Sequence, residues 1–416
     1  MIGTSDDAVF WAALLSVVAV LVLAVRERRA HRARLAAIPL RISVNGSRGK
    51  STVTRLATGA LSAAGWRALG KTTGTEARLI RGWDGAEIPV RRRPEGPNIG
   101  EQFGVVRTAA THRVEALVAE CMAVTPEYQR VFHDELVDVN VLIITNVLAD
   151  HLEEMGPTTA DVAEVFGQSI PAGGVVVLAP GPQVARLRRA ARRRGAAVIE
   201  ADPSEVPDEV LQGFGHLVFA EHVALVLALA RYLSIPRAIA LRGMRQAPPD
   251  PFATRLVDVG DPAEPAVLVN AFGANDPVST LAVWEHVTGL GHPRDGLVVV
   301  MNCRSDRVAR TRQFAVDVLP HLPIDTLVIA GKATRAVQDA VEEGTIRPRE
   351  VLDATGRGAD TILRYLDPLL RARVVLCVGN LHGGGAEIIS GLERRRVAAL
   401  DGQETLDRGD ALDVRH

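Results

Sequence analysis

One short glycine-rich stretch limits the possible folds of this chain more than any other feature. Residues 44–52 read VNGSRGKST; the strand-like run RISVN leads into them, and the helical pattern KSTVTRLATGALSAAG follows. A strand, a glycine loop and a helix in this order aim backbone N–H groups and a helix N-terminus at phosphate oxygens. The usual pattern G-x-x-x-x-G-K-[ST] is not met, because Val44 occupies the position of its first glycine. The stretch therefore predicts an α/β fold with a shortened phosphate-binding loop.

Each residue type in this loop has a use in nucleotide binding. Gly46 and Gly49 allow the chain to turn without a Cβ atom in the way. Lys50 can reach the β- and γ-phosphates, and a hydroxyl group at Ser51 or Thr52 can bind Mg²⁺. A helix cap that binds no ligand is the alternative. The predicted ATP contacts in the loop are Asn45, Gly46, Ser47, Arg48, Gly49, Lys50, Ser51 and Thr52.

The N-terminal residues predict a single-pass membrane anchor. Residues 8–25 are 18 residues without a charge, which is long enough to span a bilayer as a helix. Five arginines follow within residues 26–34, and two aspartates precede the apolar run. This asymmetry places the N-terminus outside the cell membrane and the rest of the chain in the cytoplasm. We therefore predict an anchor over residues 1–28 and a basic juxtamembrane linker over residues 29–39, with a buried core helix as the alternative.

The rest of the sequence predicts two α/β domains. EALVAECMAV, VNVLIITNV and GVVVLAP alternate with helical patterns, which indicates a mainly parallel sheet in a first domain over residues 40–242. Residues 243–252, GMRQAPPDPF, are typical of a linker. The runs AVLVNAFG, DGLVVVMNC, DTLVIAG and RVVLCVGN predict a second, smaller α/β domain over residues 253–395, and a charged tail follows over residues 396–416.

Composition argues against several classes of protein. A net charge of −1 and an aromatic content of 4% give no sign of nucleic-acid binding. Three scattered cysteines match neither a disulfide framework nor a zinc site, and they fit a reducing compartment. Only three lysines, Lys50, Lys71 and Lys332, occur among 48 basic residues. A lysine kept in such an arginine-rich chain can be needed as a compact point charge, and two of the three lie near the glycine loop.

Two further signals follow the loop in a fixed order. Residues 146–156, NVLADHLEEMG, resemble the N-x-x-x-D-H-[LM] block of the Mur ligase and folylpolyglutamate synthase superfamily, which also uses the shortened loop G-x-x-G-K-S-T. The matching residues are Asn146, Asp150 and His151. Glu120 ends an apolar strand, where that superfamily places a carboxylate for magnesium. Taken alone, Glu120 could be a strand-edge charge and His151 a helix cap.

Longer blocks narrow the resemblance to one family. GKTTGTEARLI, RRRPEGPNIGEQ and the segments around ECMAV and NVLADH are similar to the catalytic ligase subunits of poly-γ-glutamate synthases, the PgsB/CapB family. The similarity runs from Ile42 to about Thr158 and returns in NAFGANDP, NCRSDR and GNLHGGGAE. It implies a Mur-ligase-like P-loop domain with a mainly parallel sheet, a second, smaller Rossmann-like α/β domain and one N-terminal transmembrane helix.

The resemblance implies an ATP-dependent amide ligase that polymerises L- or D-glutamate into poly-γ-glutamate. ATP would phosphorylate a carboxylate, the amine of an incoming glutamate would attack the acyl phosphate, and ADP and phosphate would leave. The implied metal is Mg²⁺, with Mn²⁺ as a second candidate. The implied partners are a small integral membrane subunit, an export subunit and further copies of this chain.

The resemblance also assigns roles to particular residues. Lys50, Glu120 and His151 would be catalytic; Ser51, Glu120 and His151 would hold the metal, and Asp150 would orient the loop. The candidate substrate contacts are Lys71, Thr72, Thr73, Gly74 and Thr75. In the second domain the candidate ATP contacts are Asn270, Asn275, Asp276, Arg304 and Arg307. A surface salt-bridge cluster is the alternative for the two arginines.

One departure from the superfamily limits the function. Peptidoglycan Mur ligases often carry a carbamylated lysine after the D-H block, but this chain has no lysine between Lys71 and Lys332. That counts against a role in peptidoglycan precursor synthesis. The remaining alternatives are a related amide ligase with another acceptor, a P-loop ATPase that powers transport, and a catalytically idle scaffold. The arginine-rich residues 186–195 could attract a polyglutamate chain or form a solvated helix face.

Overall fold

The computed structural model describes residues 3–74, 77–92, 96–250, 253–274, 276–291 and 296–397, and the side chains from residue 9 onward. The chain divides into two compact units, Met1–Pro251 and Phe252–His416. Their boundary lies inside the predicted linker. Of the predicted tail, only residues 396 and 397 are among those described.

The first unit is built on an eight-stranded sheet. Its strands are β1 Leu40–Asn45, β2 Ala68–Lys71, β3 Arg78–Arg81, β4 Glu87–Pro89, β5 Ala116–Glu120, β6 Val141–Ile144, β7 Val175–Leu178 and β8 Ala197–Glu200. The strand order is β4-β3-β2-β5-β1-β6-β7-β8. All neighbours are parallel except in the β2-β3 and β3-β4 pairs. The predicted mainly parallel sheet is therefore confirmed.

Helices cover both faces of this sheet. They are α1 Gly3–Ala36, α2 Lys50–Ala63, α3 Glu101–Thr111, α4 Pro126–Val131, α5 Leu152–Met155, α6 Thr159–Gln168, α7 Val184–Arg193, α8 Asp208–Gln212, α9 Ala220–Tyr232 and α10 Arg237–Gln246, with a π-helical turn at Phe132–Leu136 and a 3₁₀ turn at Pro203–Glu205. Helices α2, α9 and α10 form one core with the sheet, and α3, α6 and α7 form the other. The central strands are buried on both faces, which explains their near-continuous apolar sequences.

Helix α1 differs from the predicted division into anchor and linker. It runs unbroken across the boundary predicted at residue 28, because its interior holds neither glycine nor proline and is rich in good helix formers. Its large apolar side chains from Val9 to Val25 are exposed, whereas His31 and Leu35 are buried against the first unit. Among the residues described, it is the one helix long and apolar enough to cross a membrane.

The second unit contains a six-stranded sheet of order β13-β12-β11-β14-β10-β9. The strands are β9 Leu256–Val259, β10 Ala266–Asn270, β11 Leu297–Cys303, β12 Ile324–Gly331, β13 Glu350–Thr355 and β14 Val374–Gly379. The helices are α11 Pro277–Gly289, α12 Val308–Asp317, α13 Arg335–Glu342, α14 Ala359–Leu366 and α15 Gly385–Glu393, with 3₁₀ turns at Leu319–His321 and Asp367–Leu369. Among the strands that the structure describes in this unit, the edge strand β9 pairs antiparallel and the others pair parallel. The four runs predicted here form β10, β11, β12 and β14, and β9 and β13 are two additional strands.

Candidate functional site

The predicted phosphate-binding loop connects the central strand β1 to α2 and has no space for side chains at its two glycines. Gly46 has a φ of +123° and Gly49 a φ of +81°. A Cβ atom on Gly46 would lie 2.2 Å from Thr145 Oγ1 and 2.9 Å from the Thr145 backbone nitrogen. A Cβ atom on Gly49 would lie 2.1 Å from Nε2 of His222 on α9. The loop is therefore enclosed between the end of β6 and helix α9.

Residues that follow β6 hold the backbone of this loop. The backbone N–H of Arg48 donates to Oδ1 of Asn146 at 2.9 Å, and that of Ser47 donates to the Asn146 carbonyl at 3.2 Å. Thr145 Oγ1 donates to the Arg48 carbonyl at 2.6 Å. Asp150 accepts a bond of 3.4 Å from the Arg48 guanidinium, which is the contact expected of a residue that orients the loop. The D-H block thus fixes the shape of the glycine loop.

Lys50, the first residue of α2, folds back over the loop. Its Nζ donates to the carbonyl oxygens of Gly46 at 2.6 Å and Ser47 at 3.0 Å. Burial lowers the pKa of Lys50, and the nearby Glu120 carboxylate opposes this shift. The ammonium group is therefore held at the loop by carbonyl groups that a phosphate can replace.

Glu120 ends β5 directly beside the loop, because β5 pairs with β1 and places Glu120 opposite Val44. Its side chain is buried. Two donors converge on Oε2, the Ser51 hydroxyl at 2.8 Å and the Thr73 backbone N–H at 2.7 Å. Within the described residues, Oε1 accepts no hydrogen bond. Oε2 of Glu120 is thus occupied by two hydrogen-bond donors, whereas Oε1 is available for a ligand.

His151 lines the cavity beside the loop and has acidic neighbours other than Glu120. Its backbone is left-handed, with φ of +51°, and it precedes helix α5. The ring is half-exposed, 3.9 Å from Asp150 Oδ1 and 3.9 Å from Glu154 Oε2. Among the residues described, no group of three or more His, Cys, Asp and Glu side chains is arranged to hold a metal. Of the predicted metal set, Ser51 and Glu120 are in contact, while His151 stands apart from both.

A cavity of about 230 Å³ joins these parts. It is lined by Asn45, Gly46, Ser47, Lys50, Thr73, Pro97, Cys121, Met122, Ala123, Val124, Gln129, Asp150, His151, Met155 and Phe166. The loop, Lys50 and the D-H block supply its polar part, and methionine and phenylalanine side chains supply an apolar part. The structure therefore brings the predicted loop, His151 and the segment after β5 to one cavity at the carboxyl ends of β1 and β5, where open α/β sheets bind ligands.

The predicted substrate segment after β2 divides into two parts. Lys71 and Thr72 are fully buried. Lys71 Nζ lies 3.0 Å from Glu101 Oε2, and burial lowers the pKa of Lys71 against the attraction of Glu101. The expected contact between Lys71 and a polyanionic chain would require this ion pair to open. Thr73 and Gly74 lie beside the cavity and Ser51, and the predicted Thr75 lies outside the described residues.

The predicted contacts of the second unit follow the carboxyl ends of its strands. Asn270 ends β10 and accepts a bond of 3.3 Å from the Phe272 N–H. Asp276 caps α11 by accepting from Ser279 N at 3.0 Å. Arg304 pairs with Asp306 at 2.7 Å, and Arg307 immediately precedes α12. The predicted Asn275 lies outside the part of the chain that the structure describes.

The structure adds site residues that the sequence analysis did not assign. His222 packs on Gly49 from 173 positions away, so no local pattern could indicate it. Arg92 donates to the carbonyl of Thr73 at 2.8 Å. Its signal was present in the block RRRPEGPNIGEQ, which was recognised as a whole without a role for any single residue.

Comparisons with known proteins agree with this arrangement. The profile of the Mur ligase middle domain matches residues 44–209, and that of the poly-gamma-glutamate synthase CapB C-terminal domain matches residues 257–395. PGA synthase CapB of Bacillus subtilis (strain 168) is 42% identical over 391 residues, which cover 94% of this chain and 99% of that protein. Capsule biosynthesis protein CapB of Bacillus anthracis is 44% identical over 363 residues, which cover 87% and 78%.

Solved structures share the fold at much lower identity. A bifunctional folylpolyglutamate synthase/dihydrofolate synthase with Mn, AMPPNP and L-glutamate bound has a TM-score of 0.61 at 16% identity, over 88% of this chain and 93% of that chain. This similarity establishes the fold, and the two CapB relatives establish the family. The chain therefore belongs to the CapB family of poly-γ-glutamate synthases, ATP-dependent amide ligases with a Mur-ligase-type fold.

Proposed function

We propose that this protein is a membrane-anchored ligase that polymerises glutamate into poly-γ-glutamate at the expense of ATP, through an acyl phosphate. The observation that carries this proposal is the arrangement at the end of β1, where Lys50 lines the cavity and interacts electrostatically with Glu120, which in turn accepts a hydrogen bond from Ser51. The relatives named as CapB support the polymer, and the related fold that holds AMPPNP, Mn and L-glutamate supports a site for nucleotide, metal and amino acid.

The loop and Lys50 would bind the phosphates of ATP. The backbone N–H groups of the loop and the N-terminus of the 14-residue helix α2 provide partial positive charge. Lys50 would exchange its bonds to the carbonyls of Gly46 and Ser47 for bonds to the transferring γ-phosphoryl group. The second unit would supply further contacts to ATP through Asn270, Asn275, Asp276, Arg304 and Arg307.

The oxygen atoms at the site fit a hard divalent cation. The Ser51 hydroxyl and Oε1 of Glu120 are the ligand types that Mg²⁺ and Mn²⁺ prefer, and Oε1 has no other partner among the residues described. These two groups would hold the ion, and we retain His151 as a ligand through water. When bound, the ion would neutralise charge on the phosphates. Thr73, which lines the cavity, and Gly74, which lies near Ser51, would meet a substrate carboxylate.

The chemistry that this arrangement serves consists of two displacements. A glutamyl γ-carboxylate oxygen attacks the γ-phosphorus, and the bond from that phosphorus to the ADP oxygen breaks. The amine of the incoming glutamate then attacks the acyl carbon, loses a proton, and displaces phosphate. The protein mainly has to position the reactants and neutralise phosphate charge, which the enclosed loop and Lys50 can do.

We further propose that α1 anchors the protein in the cell membrane with its N-terminus outside and both units in the cytoplasm. The exposed apolar side chains of residues 9–25 and the five arginines in residues 26–34 support this placement. A small integral membrane subunit, an export subunit and additional copies of this chain would complete a synthase that makes and exports the polymer.

The test is ADP release from membranes that contain the protein, with and without L- or D-glutamate, together with incorporation of radiolabelled glutamate. Lys50→Ala is the inactivating variant. Lys332→Ala is the matched control, because Lys332 is the one exposed lysine of the described chain in the second unit. We expect glutamate-dependent ADP release, label in a protease-resistant polymer, loss of both in Lys50→Ala, and retention of both in Lys332→Ala.

Other outcomes point to other functions. ADP release that does not depend on glutamate, but disappears in Lys50→Ala, would overturn the ligase proposal and favour a transport ATPase. Incorporation of label into a small acceptor instead of a polymer would favour a related amide ligase. If the protein alone neither releases ADP nor incorporates labelled glutamate, both measurements are repeated after co-expression with the membrane partners.

A further inference from the structure

A buried ion-pair cluster lies directly behind Glu120, and the proposed chemistry does not use it. Lys71 ends β2, Glu101 begins α3, and Arg92 lies between them in sequence. Lys71 Nζ is 3.0 Å from Glu101 Oε2, and Arg92 Nε donates to Glu101 Oε1 at 3.0 Å. The side chains are 0%, 10% and 20% exposed for Lys71, Glu101 and Arg92. Even a paired buried ion cluster contributes little to stability, because removing its charges from water is costly. We therefore looked for a role of this cluster other than stability.

Arg92 connects this cluster to the candidate site. Besides its bond to Glu101, its Nη2 donates to the Thr73 carbonyl at 2.8 Å. The N–H of the same Thr73 donates to Glu120 Oε2 at 2.7 Å. The backbone of Thr73 is therefore fixed from one side by Arg92 and binds Glu120 on the other. The cluster is joined to Glu120 through a single residue.

The charges within the cluster explain why Arg92 keeps one orientation. Burial opposes ionisation of Glu101, but Lys71 and Arg92 together hold the pKa of Glu101 below its usual value. Each oxygen of this carboxylate faces one cation, so the guanidinium cannot turn without losing a charged partner. A guanidinium is a rigid planar group with several donors, and the ammonium group of a lysine cannot make the same two contacts.

We propose that Arg92 is a positioning residue for the proposed ligase reaction. Locked by Glu101 and Lys71, it holds Thr73 so that the Thr73 N–H occupies Oε2 of Glu120 and Oε1 stays directed to the divalent cation. In this role Lys71 is the counter-charge of Glu101 and does not bind the polymer. This proposal rests on the proposed function in one respect, because it takes the metal-dependent reaction to be the ligase reaction.

The experiment compares Arg92→Lys, Arg92→Gln and Glu101→Gln in the full-length protein in lipid nanodiscs. Arg91→Gln is the matched control, because Arg91 is the exposed neighbour of Arg92. Binding of Mn²⁺ is measured by electron paramagnetic resonance in the presence of AMPPNP, and AMPPNP binding is measured without metal. The Mg²⁺ concentration that gives half-maximal ADP release and the rate at saturating Mg²⁺ are measured in parallel.

We expect the Arg92 and Glu101 variants to weaken Mn²⁺ binding by about 10-fold or more, as is usual when a group that orients a metal ligand is lost. The half-maximal Mg²⁺ concentration rises by the same factor, and the rate at saturating Mg²⁺ recovers toward wild type. AMPPNP binding without metal, and all values for Arg91→Gln, stay unchanged. If Arg92→Gln does not fold, the conservative Arg92→Lys decides.

Unchanged Mn²⁺ binding in folded Arg92→Lys and Glu101→Gln would overturn the proposal. A loss of activity that saturating Mg²⁺ does not restore would also overturn it, because a structural defect would act at every metal concentration. Failure of the ligase function is recognised separately. In that case ADP release by the wild type does not respond to glutamate, whereas the effect of Arg92 on Mn²⁺ binding persists.

Discussion

The packing of the phosphate-binding loop predicts that replacing Gly46 by alanine damages the first unit and its nucleotide site. The new Cβ would lie 2.2 Å from Thr145 Oγ1 and 2.9 Å from the backbone nitrogen of the same residue. Since the second atom belongs to the backbone, a side-chain rotation cannot relieve the contact. The φ of +123° is also unfavourable for any residue with a Cβ atom.

Two costs add in Gly46→Ala. A left-handed backbone costs a non-glycine residue about 1–2 kcal/mol. Forcing extra atoms into a packed site costs typically about 1–3 kcal/mol. We therefore expect the free energy of unfolding to fall by about 2–5 kcal/mol. Gly65→Ala separates the two costs, because Gly65 follows helix α2 with φ of +91° but has no atom within 4 Å of its Cβ position. That control should lose only about 1–2 kcal/mol.

The assay is urea-induced unfolding followed by far-UV circular dichroism, with a fluorescent ATP analogue to measure nucleotide binding. We expect Gly65→Ala to bind the analogue as the wild type does, and Gly46→Ala to bind it at least 10-fold more weakly. Equal stability of the two variants, with wild-type nucleotide binding in both, would refute the reasoning. It would mean that the loop does not rest on Thr145.

Three further predictions concern the loop, a buried ion pair and pH. Asn146→Ala removes the acceptor of the Arg48 N–H. The loss of one hydrogen bond of about 1–1.5 kcal/mol should lower the nucleotide affinity about 10-fold. Titration with the fluorescent ATP analogue measures this affinity. The guanidinium of Arg55, which is 2% exposed, makes a bidentate contact with the Glu87 carboxylate. Glu87→Gln removes that carboxylate, so the free energy of unfolding in urea should fall by about 2–3 kcal/mol. A loss below about 0.5 kcal/mol, as is usual for surface ion pairs, would contradict this prediction. Burial lowers the pKa of His133 to about 4, and the unfolded chain binds this proton near pH 6.5, so stability should be full above pH 6.5 and fall by up to about 3 kcal/mol as the pH drops to about 4. Burial lowers the pKa of His222 to about 4 as well and adds a second fall of the same size, for a combined fall of up to about 6 kcal/mol. His133→Gln should therefore remove about half of the combined fall, and the same pH profile in variant and wild type would count against this cause.

The parts of the site that lie in continuous motifs could be predicted from the sequence. The glycine loop, Asp150 and His151 each belong to a block whose residues are neighbours in the chain, and the parallel sheet places the ends of β1, β5 and β6 together. Glu120 was assigned because it ends an apolar strand at the position where the superfamily that the chain resembles places a carboxylate for magnesium. These predictions needed the order of the elements and the resemblance of the motifs.

The position of Lys71 could not be predicted in the same way. Its burial depends on β3 and β4, which extend the sheet beside β2, and on Glu101, which lies 30 residues later. Strands of four and three residues are too short to show a reliable alternation of apolar and polar side chains. A lysine beside a glycine loop therefore suggested a surface role, whereas the fold places it in a buried ion pair.

The unbroken helix α1 also has a mechanical consequence. From Val25, the last exposed large apolar residue of α1, to His31, the first buried one, the helix advances by six residue steps, or roughly 9 Å. The continuous helix therefore fixes the rotation of the apolar segment about the helix axis relative to the first unit. Inserting a single alanine after Arg29 would turn the apolar segment relative to the first unit by about 100°, whereas inserting seven residues would restore its orientation to within about 20°. Any membrane partner that recognises one side of this helix would thus also fix the direction in which the ATP site faces.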